Sequence, residues 1–166
     1  MELRKILVAL DYGEAAEQVL DAGITLAKGH HAELVLLHCV SYAVLDEVST
    51  IALAEVGPYP RVMGSSYEAQ VQLMEREKEV AAAALADYCS QSDLQGVLAT
   101  GRSITGDVGG SICQVATELA VDVIVMGRRG RTGLTEAMLG SASNYVVHRS
   151  QRPVFVVKLV CGANDI

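Results

Sequence analysis

The sequence predicts an α/β protein: a five-stranded parallel sheet with helices on both faces. Two observations carry this. Short apolar runs alternate with helical patterns along the whole chain. Those runs are built from Val, Leu, Ile and Ala, while aromatics are scarce (six Tyr, one Phe, no Trp). That composition suits strands covered on both sides by crossover helices. A length of 166 residues suits one domain over 1–166 with one sizeable core. Right-handed crossovers follow from the parallel arrangement.

Taken in order, Leu3–Leu10 (LRKILVAL) reads as the first buried strand. Glu14–Lys28 follows as a helix, because Ala16, Val19, Leu20, Gly23 and Ala27 share one face, and Gly29 ends it. Glu33–Val40 is the second strand. Ser41–Ser65 lacks strong periodicity and carries Gly57, Pro58, Pro60 and Gly64, so a long variable loop is expected. Its apolar residues (Val44, Leu45, Val48, Ile51, Leu53, Val56) suggest that part of it packs as a short helix. Ser66–Cys89 is the longest helix and Gly96–Gly101 the third strand. Asp107–Leu119 is a third helix with Ile112, Val115, Ala116 and Leu119 inward. Val121–Gly127, Ser141–Arg149 and Pro153–Leu159 are the fourth strand, the fourth helix and the fifth strand. Arg128–Leu139 is long for such a connection and predicts a flap.

Charge and cysteine usage exclude several classes. A net charge of −7 argues against general nucleic-acid binding, which needs a basic footprint. The cluster Arg128, Arg129, Arg131 is a local exception to it. The four cysteines are far apart, with no CxxC and no metal-ligand spacing. Cys39 and Cys113 lie in apolar patterns and read as buried thiols. No apolar run is long enough to span a bilayer, and no signal peptide precedes the first strand, so no membrane partner and a cytoplasmic location are expected.

The last third of the chain carries the chemistry. The strand Val123–Gly127 runs straight into a glycine, Gly130 follows amid the arginines, and Gly140 opens the helix of Ser141, Ala142 and Ser143. Glycines let backbone amides approach an anion, and a helix N-terminus adds free amides and a positive dipole end. Singly, Gly127 and Gly130 suit turns, and Ser141 and Ser143 suit caps. Together they make a phosphate cradle. Ligands of open parallel sheets sit at the carboxyl ends of strands. Asp11 follows the first strand, so it is either a helix cap or part of the same crevice. No GxxxxGK[ST] occurs, and no GxGxxG follows a strand. His30 and His31 read as a solvated helix end, and neither His38 nor His148 has a Ser or Cys partner at a recognisable spacing. No nucleophile–base constellation is visible.

The spacing Gly127-x2-Gly130-x9-Gly140-Ser141 resembles the G-2x-G-9x-G-[S/T] signature of the ATP-binding branch of the universal stress protein family. The openings KILVALD and AELVLLHCV, the junction VDVIVMGRRG, the LTEAMLGSAS segment and the closing RPVFVVK extend the resemblance over most of the chain. It implies an adenine nucleotide α-hydrolase-like fold with strand order 3-2-1-4-5. It implies that Ala9 and Cys39 flank adenine, that Met126 and Gly127 meet the ribose, and that Gly130 and Gly140 to Ser143 hold phosphates. Asp11 would face the ribose and phosphates, with Mg2+ or Mn2+ as a candidate metal there. Arg128 makes the loop more basic than is usual in the family. A homodimer through Pro153–Leu159 is also implied.

The function expected is therefore that of a sensor or regulator in the stress response that binds ATP, ADP, AMP or cyclic AMP. Two other classes stand beside it: a slow metal-dependent ATPase, and an interaction module whose glycines are only structural. A receiver domain is set aside because the third strand, read as ending at Thr100-Gly101, has no acid after it.

Overall fold

The computed structural model describes residues 2–11, 14–41, 63–128 and 140–159. Among these residues nine elements alternate: β1 (Lys5–Leu10), α1 (Glu14–His30), β2 (Glu33–Ser41), α2 (Met63–Leu94), β3 (Ala99–Gly106), α3 (Val108–Glu118), β4 (Val123–Arg128), α4 (Ser141–Arg149) and β5 (Val154–Lys158). The strands form one parallel sheet in the order β3-β2-β1-β4-β5. This is the order the resemblance implies.

Strand β1 is central, and from it the chain winds first one way and then the other. Right-handed crossovers therefore send α1 and α2 to one face and α3 and α4 to the opposite face. Two core clusters result. Ile6, Val8 and Leu10 of β1 pack with Val19, Leu20 and Ile24 of α1 and Leu85 of α2. Leu7 of β1 packs with Ile112, Val115 and Ala116 of α3 and Val146 of α4. Alternate residues of β1 thus enter different cores, which is why the strand reads as an unbroken apolar run. The helix faces agree with their periodicity: Ala16, Val19, Leu20, Gly23 and Ala27 are all buried. Gly23 is glycine because of close approach, since a Cβ there would sit 2.7 Å from Val8 Cγ2. Helix α1 could not lie this near the sheet with any larger residue.

Several expected boundaries are corrected. Helix α1 does not stop at Gly29. It ends when His31 takes the left-handed conformation (φ 55°), with Ala32 N–H donating to the Ala27 carbonyl at 3.0 Å. Helix α3 ends the same way at Ala120 (φ 50°), where Val121 N–H donates to Ala116 at 3.1 Å. Both helices close with the hydrogen bond usually associated with a C-terminal glycine, but without one. Helix α2 begins at Met63 rather than Ser66 and extends to Leu94, so residues 63–65 of the expected loop are helical. Residues 42–62 of that loop lie outside the described residues. Cys39, Cys89 and Cys113 are only partly buried, not fully, and all three are free thiols.

The largest correction is β3. It pairs with β2 from Leu34↔Ala99 to Ser41↔Gly106, so it ends five residues later than expected and runs directly into Asp107. An acid does follow this strand. The receiver reading is excluded instead by sheet order, because that fold class places its strands 2-1-3-4-5. Among the described residues no helix is long and apolar enough to cross a membrane.

The amino-terminal edge of the sheet is closed by Asp122. Its Oδ2 accepts from the amides of Arg4 at 2.7 Å and Lys5 at 2.9 Å, while Asp122 N–H donates to the Lys5 carbonyl at 2.8 Å. These amides hold its carboxyl below the usual carboxylate range. A lowered carboxylate pKa adds stability above the unfolded value of about 3.9, and that stability is lost as pH falls through the folded value. Asp122→Ala is expected to cost about 1 kcal/mol at pH 7, given the partial exposure of the group. Urea unfolding at pH 7 and again below pH 4 checks this. The gap between variant and wild type should shrink at the lower pH, and equal stabilities at pH 7 would remove Asp122 from the account.

Candidate functional site

At the carboxyl edge the strands part. Strand β1 pairs with β4 as far as Ala9↔Met126 and with β2 as far as Leu10↔His38. Beyond that, β2 continues beside β3 to Ser41, and β4 continues beside β5 to Arg128. Strand β1 ends before its neighbours at this edge, so a notch opens over its end. Helix α1 leaves on one face while α3 and α4 begin on the other. A cleft of about 820 Å³ occupies the notch.

The cleft gathers most of the residues singled out in the sequence. Ala9, Asp11, Cys39, Met126, Gly127, Gly140, Ser141, Ala142 and Ser143 all line it. Arg128 does not line it; it closes β4 and pairs in register with Lys158. Gly130, Arg129 and Arg131 lie outside the described residues. The side chain of Met126 belongs to the α3/α4 core. Gly127 has a packing reason of its own, since a Cβ there would meet Val19 Cγ2 at 3.0 Å and Leu159 Cδ1 at 3.4 Å. The Ser143 hydroxyl is buried and donates to the Gly140 carbonyl at 3.0 Å.

Three helix N-termini meet the cleft: that of α1, whose Ala15 and Ala16 line it, and those of α3 and α4, which are built differently from each other. At α3, Asp107 is the N-cap, and its carboxylate accepts from Gly110 N–H at 2.7 Å. The dipole end there already has its negative charge. At α4, the N-cap is Gly140 with no side-chain hydrogen bond, and Asn144 N–H is the first to find the Gly140 carbonyl, at 2.8 Å. No side chain among the described residues accepts from the amides of Ser141, Ala142 and Ser143. Backbone angles do not demand glycine at this position, because φ −61° and ψ 160° are open to any residue. The termini are brought together by Gly109, where a Cβ would sit 2.7 Å from Tyr145 Cδ1, so the ring of Tyr145 on α4 rests on the first turn of α3.

The charged side chains on the described wall, Asp11, Glu77 and Asp107, are all carboxylates. Positive potential on that wall therefore comes from main-chain amides at the helix N-termini, those of α1 and α4 among them. No group of three or more His, Cys, Asp or Glu is placed to hold a metal among the described residues. His38 is buried, and its Nδ1 lies 3.1 Å from the Leu10 carbonyl; burial lowers its pKa, against the Leu10 hydrogen bond and the Glu77 charge. Sequence reasoning missed His38, Glu77, Asp107, Gly109 and Tyr145 as wall residues. Asp107 was hidden by the misplaced end of β3, although an Asp three residues before Gly110 carries a cap signal. Nothing local marks the other four, because their place depends on register and helix docking.

Cys39 is the thiol on the cleft wall. Burial, with the nearby Asp107 charge, pushes its pKa up to about 11. The thiolate is the reactive form. Alkylation of Cys39 by iodoacetamide at pH 8 is thus expected to run about a hundredfold slower than that of a free cysteine peptide, whose pKa is about 8.5. Peptide mass spectrometry over time reads this directly, and labelling at the free-peptide rate would contradict the burial assigned to that thiol.

Comparison with known proteins adds to this geometry. The model of the universal stress protein family matches residues 2–158. Universal stress protein YxiE of Bacillus subtilis is 33% identical over 156 residues, covering 93% of this chain and 98% of that protein. The solved structure of MJ0577 from Methanocaldococcus jannaschii is similar at a TM-score of 0.76 and 25% identity, covering 97% of this chain and 99% of that one. A universal stress protein solved in complex with cAMP shares the fold at a TM-score of 0.63 and 16% identity, covering 95% and 98%. With a 3-2-1-4-5 sheet and a family match over nearly its whole length, this chain belongs to the universal stress protein family.

Proposed function

We propose that this protein binds an adenine nucleotide in the cleft and acts as a nucleotide-responsive regulator. The phosphates lie at the N-terminus of α4, and the base lies between Ala9 and Cys39. The observation that carries this reading is the contrast between the two helix ends. One cleft holds a terminus capped by Asp107 and another whose cap residue, Gly140, has no side chain, with no other cap among the described residues. Glycine is a weaker cap than Asp or Ser, so it earns no advantage in helix stability here. What it leaves is room in front of three amides aimed at an anion. The spacing of Gly127, Gly130 and Gly140 supports the same reading, as does the shared fold of the cAMP complex.

A polyphosphate would also meet the carboxylates of the wall. Asp11 is exposed at the end of β1 and lines the cleft, which supports it as the candidate to share Mg2+ or Mn2+ with the phosphates. A single protein carboxylate with phosphate oxygens and waters is an ordinary way to hold Mg2+. Binding should therefore differ among ATP, ADP, AMP and cyclic AMP in its dependence on divalent ions.

Among the described residues strand β5 is at the edge of the sheet, paired only with β4, and Phe155 on it is 49% exposed. Such an edge needs a cover. The second copy of this chain, applied through its own β5, is the cover proposed here.

Calorimetry against the four nucleotides should give binding near −7 to −9 kcal/mol for at least one, a micromolar-range affinity. No heat with any of them at sub-millimolar protein would sink the reading. Gly140→Asp is the sharper variant. It supplies the missing cap, so folding stability should stay within a few tenths of a kcal/mol or rise. It also places a carboxylate where phosphate would sit, so nucleotide binding should fall at least tenfold. Retained affinity in the folded variant would make Gly140 merely structural. For the dimer, light scattering at tens of micromolar should show two copies for wild type and one for Phe155→Glu; a wild-type monomer would contradict the edge-pairing proposal.

A further inference from the structure

We infer that His38 is a positioning residue for the cleft, holding the Leu10–Asp11 peptide in place through its hydrogen bond to the Leu10 carbonyl. This deepens the nucleotide reading and rests on it.

Leu10↔His38 is the last register pair of β1 with β2. Beyond it β1 has ended, and among the described residues β2 pairs only with β3. The fork between the strands is one wall of the cleft, and its position depends on where the last peptide of β1 is held. A side chain reaches this point: His38 Nδ1 is 3.1 Å from the Leu10 oxygen, and both residues are 6% exposed. A carbonyl only accepts, so Nδ1 carries the proton and donates. In such a dry setting the bond is stronger than its counterpart in water. The peptide group is planar. Holding the Leu10 oxygen therefore holds the plane that includes the Asp11 amide, and with it the direction in which Asp11 leaves the strand. Asp11 lines the cleft, as do both residues of the hydrogen bond.

Desolvation favours the neutral ring, while Glu77 of α2 and the Leu10 carbonyl favour the charged one. Both protonation states keep a proton on Nδ1 when it donates to Leu10. The positioning bond is thus present across the neutral range of pH, and the role assigned to His38 is geometric rather than that of a proton switch.

The test uses three variants and ADP with Mg2+. His38→Leu fills the space without a donor. His38→Asn carries an amide nitrogen at the same bond distance from the backbone as Nδ1. His38→Gln carries its donor one bond further out and takes the place of the leucine variant if that one does not fold. Calorimetry should show His38→Leu weakened about tenfold or more and His38→Asn within about threefold of wild type. On an Asp11→Asn background, His38→Leu should cost little more, because the two residues act as one unit. Hydrogen exchange in the nucleotide-free protein should quicken at the β1–α1 junction in His38→Leu and not in His38→Asn. Wild-type affinity in folded His38→Leu, failure of a folded His38→Asn to rescue, or full additivity with Asp11→Asn would each overturn the inference. If wild type itself binds no nucleotide, the functional reading fails, while the exchange comparison still decides whether His38 holds the junction.

Discussion

The architecture depends on the reversal of winding at β1. Crossovers between parallel strands are right-handed as a rule, so the direction in which the chain steps across the sheet decides the face on which its helix lies. Two steps one way place α1 and α2 together, and the return across β1 places α3 and α4 on the other face. The helices that follow β1 and β4, α1 and α4, pack on opposite faces, so among the described elements none covers the carboxyl edge between those strands. The cleft follows from this before any of its side chains is considered. Apolar residues on both faces of β1 and the glycine at position 23 serve the same arrangement, by letting helices seat closely on each side.

The two edges of the sheet treat their backbone amides in opposite ways. At the amino edge, Asp122 takes two amides of the chain entering β1 and ties β1 to β4. At the carboxyl edge, Asp107 takes an amide of α3, while among the described residues no side chain caps the first turn of α4. An amide satisfied inside the protein contributes to the fold; one left facing a cavity is available to a ligand. This contrast turns a glycine at the start of a helix into a functional statement. It also accounts for an acidic wall that suits phosphate, because the attraction is local to a helix end.

Much of this was legible in the residues. Strand–helix alternation, the inward faces of α1 and α3, and the bounds of α4 at Ser141 and Arg149 all agree with the periodicity. The sheet order required the family resemblance, since nothing in the local pattern says that β4 returns beside β1. Helix ends were harder. His31 and Ala120 take a left-handed conformation that residue preference assigns to glycine, because the tertiary connection to the next strand fixes the turn. The end of β3 was misplaced because Gly101 and Gly106 both look like strand breaks. Gly101 in fact leaves room for Leu85 of α2, whose Cβ would be 3.1 Å from a Cβ at that position. That error hid Asp107. His38 was invisible for a different reason: its importance lies in a register pair and a buried carbonyl, neither of which has a local signature.

The central claim is that an anion is received by the amides of α4 and not by those of α3. Backbone amide resonances of the nucleotide-free protein, followed on titration with AMP and separately with adenosine, test it most directly. The account predicts that AMP moves the amides of Ser141, Ala142 and Ser143 strongly and that adenosine leaves them nearly still. It predicts little difference between the two ligands at Val108, Gly109 and Gly110, where Asp107 already occupies the helix end. Phosphate-dependent shifts centred on α3, or none at either terminus despite binding, would contradict it.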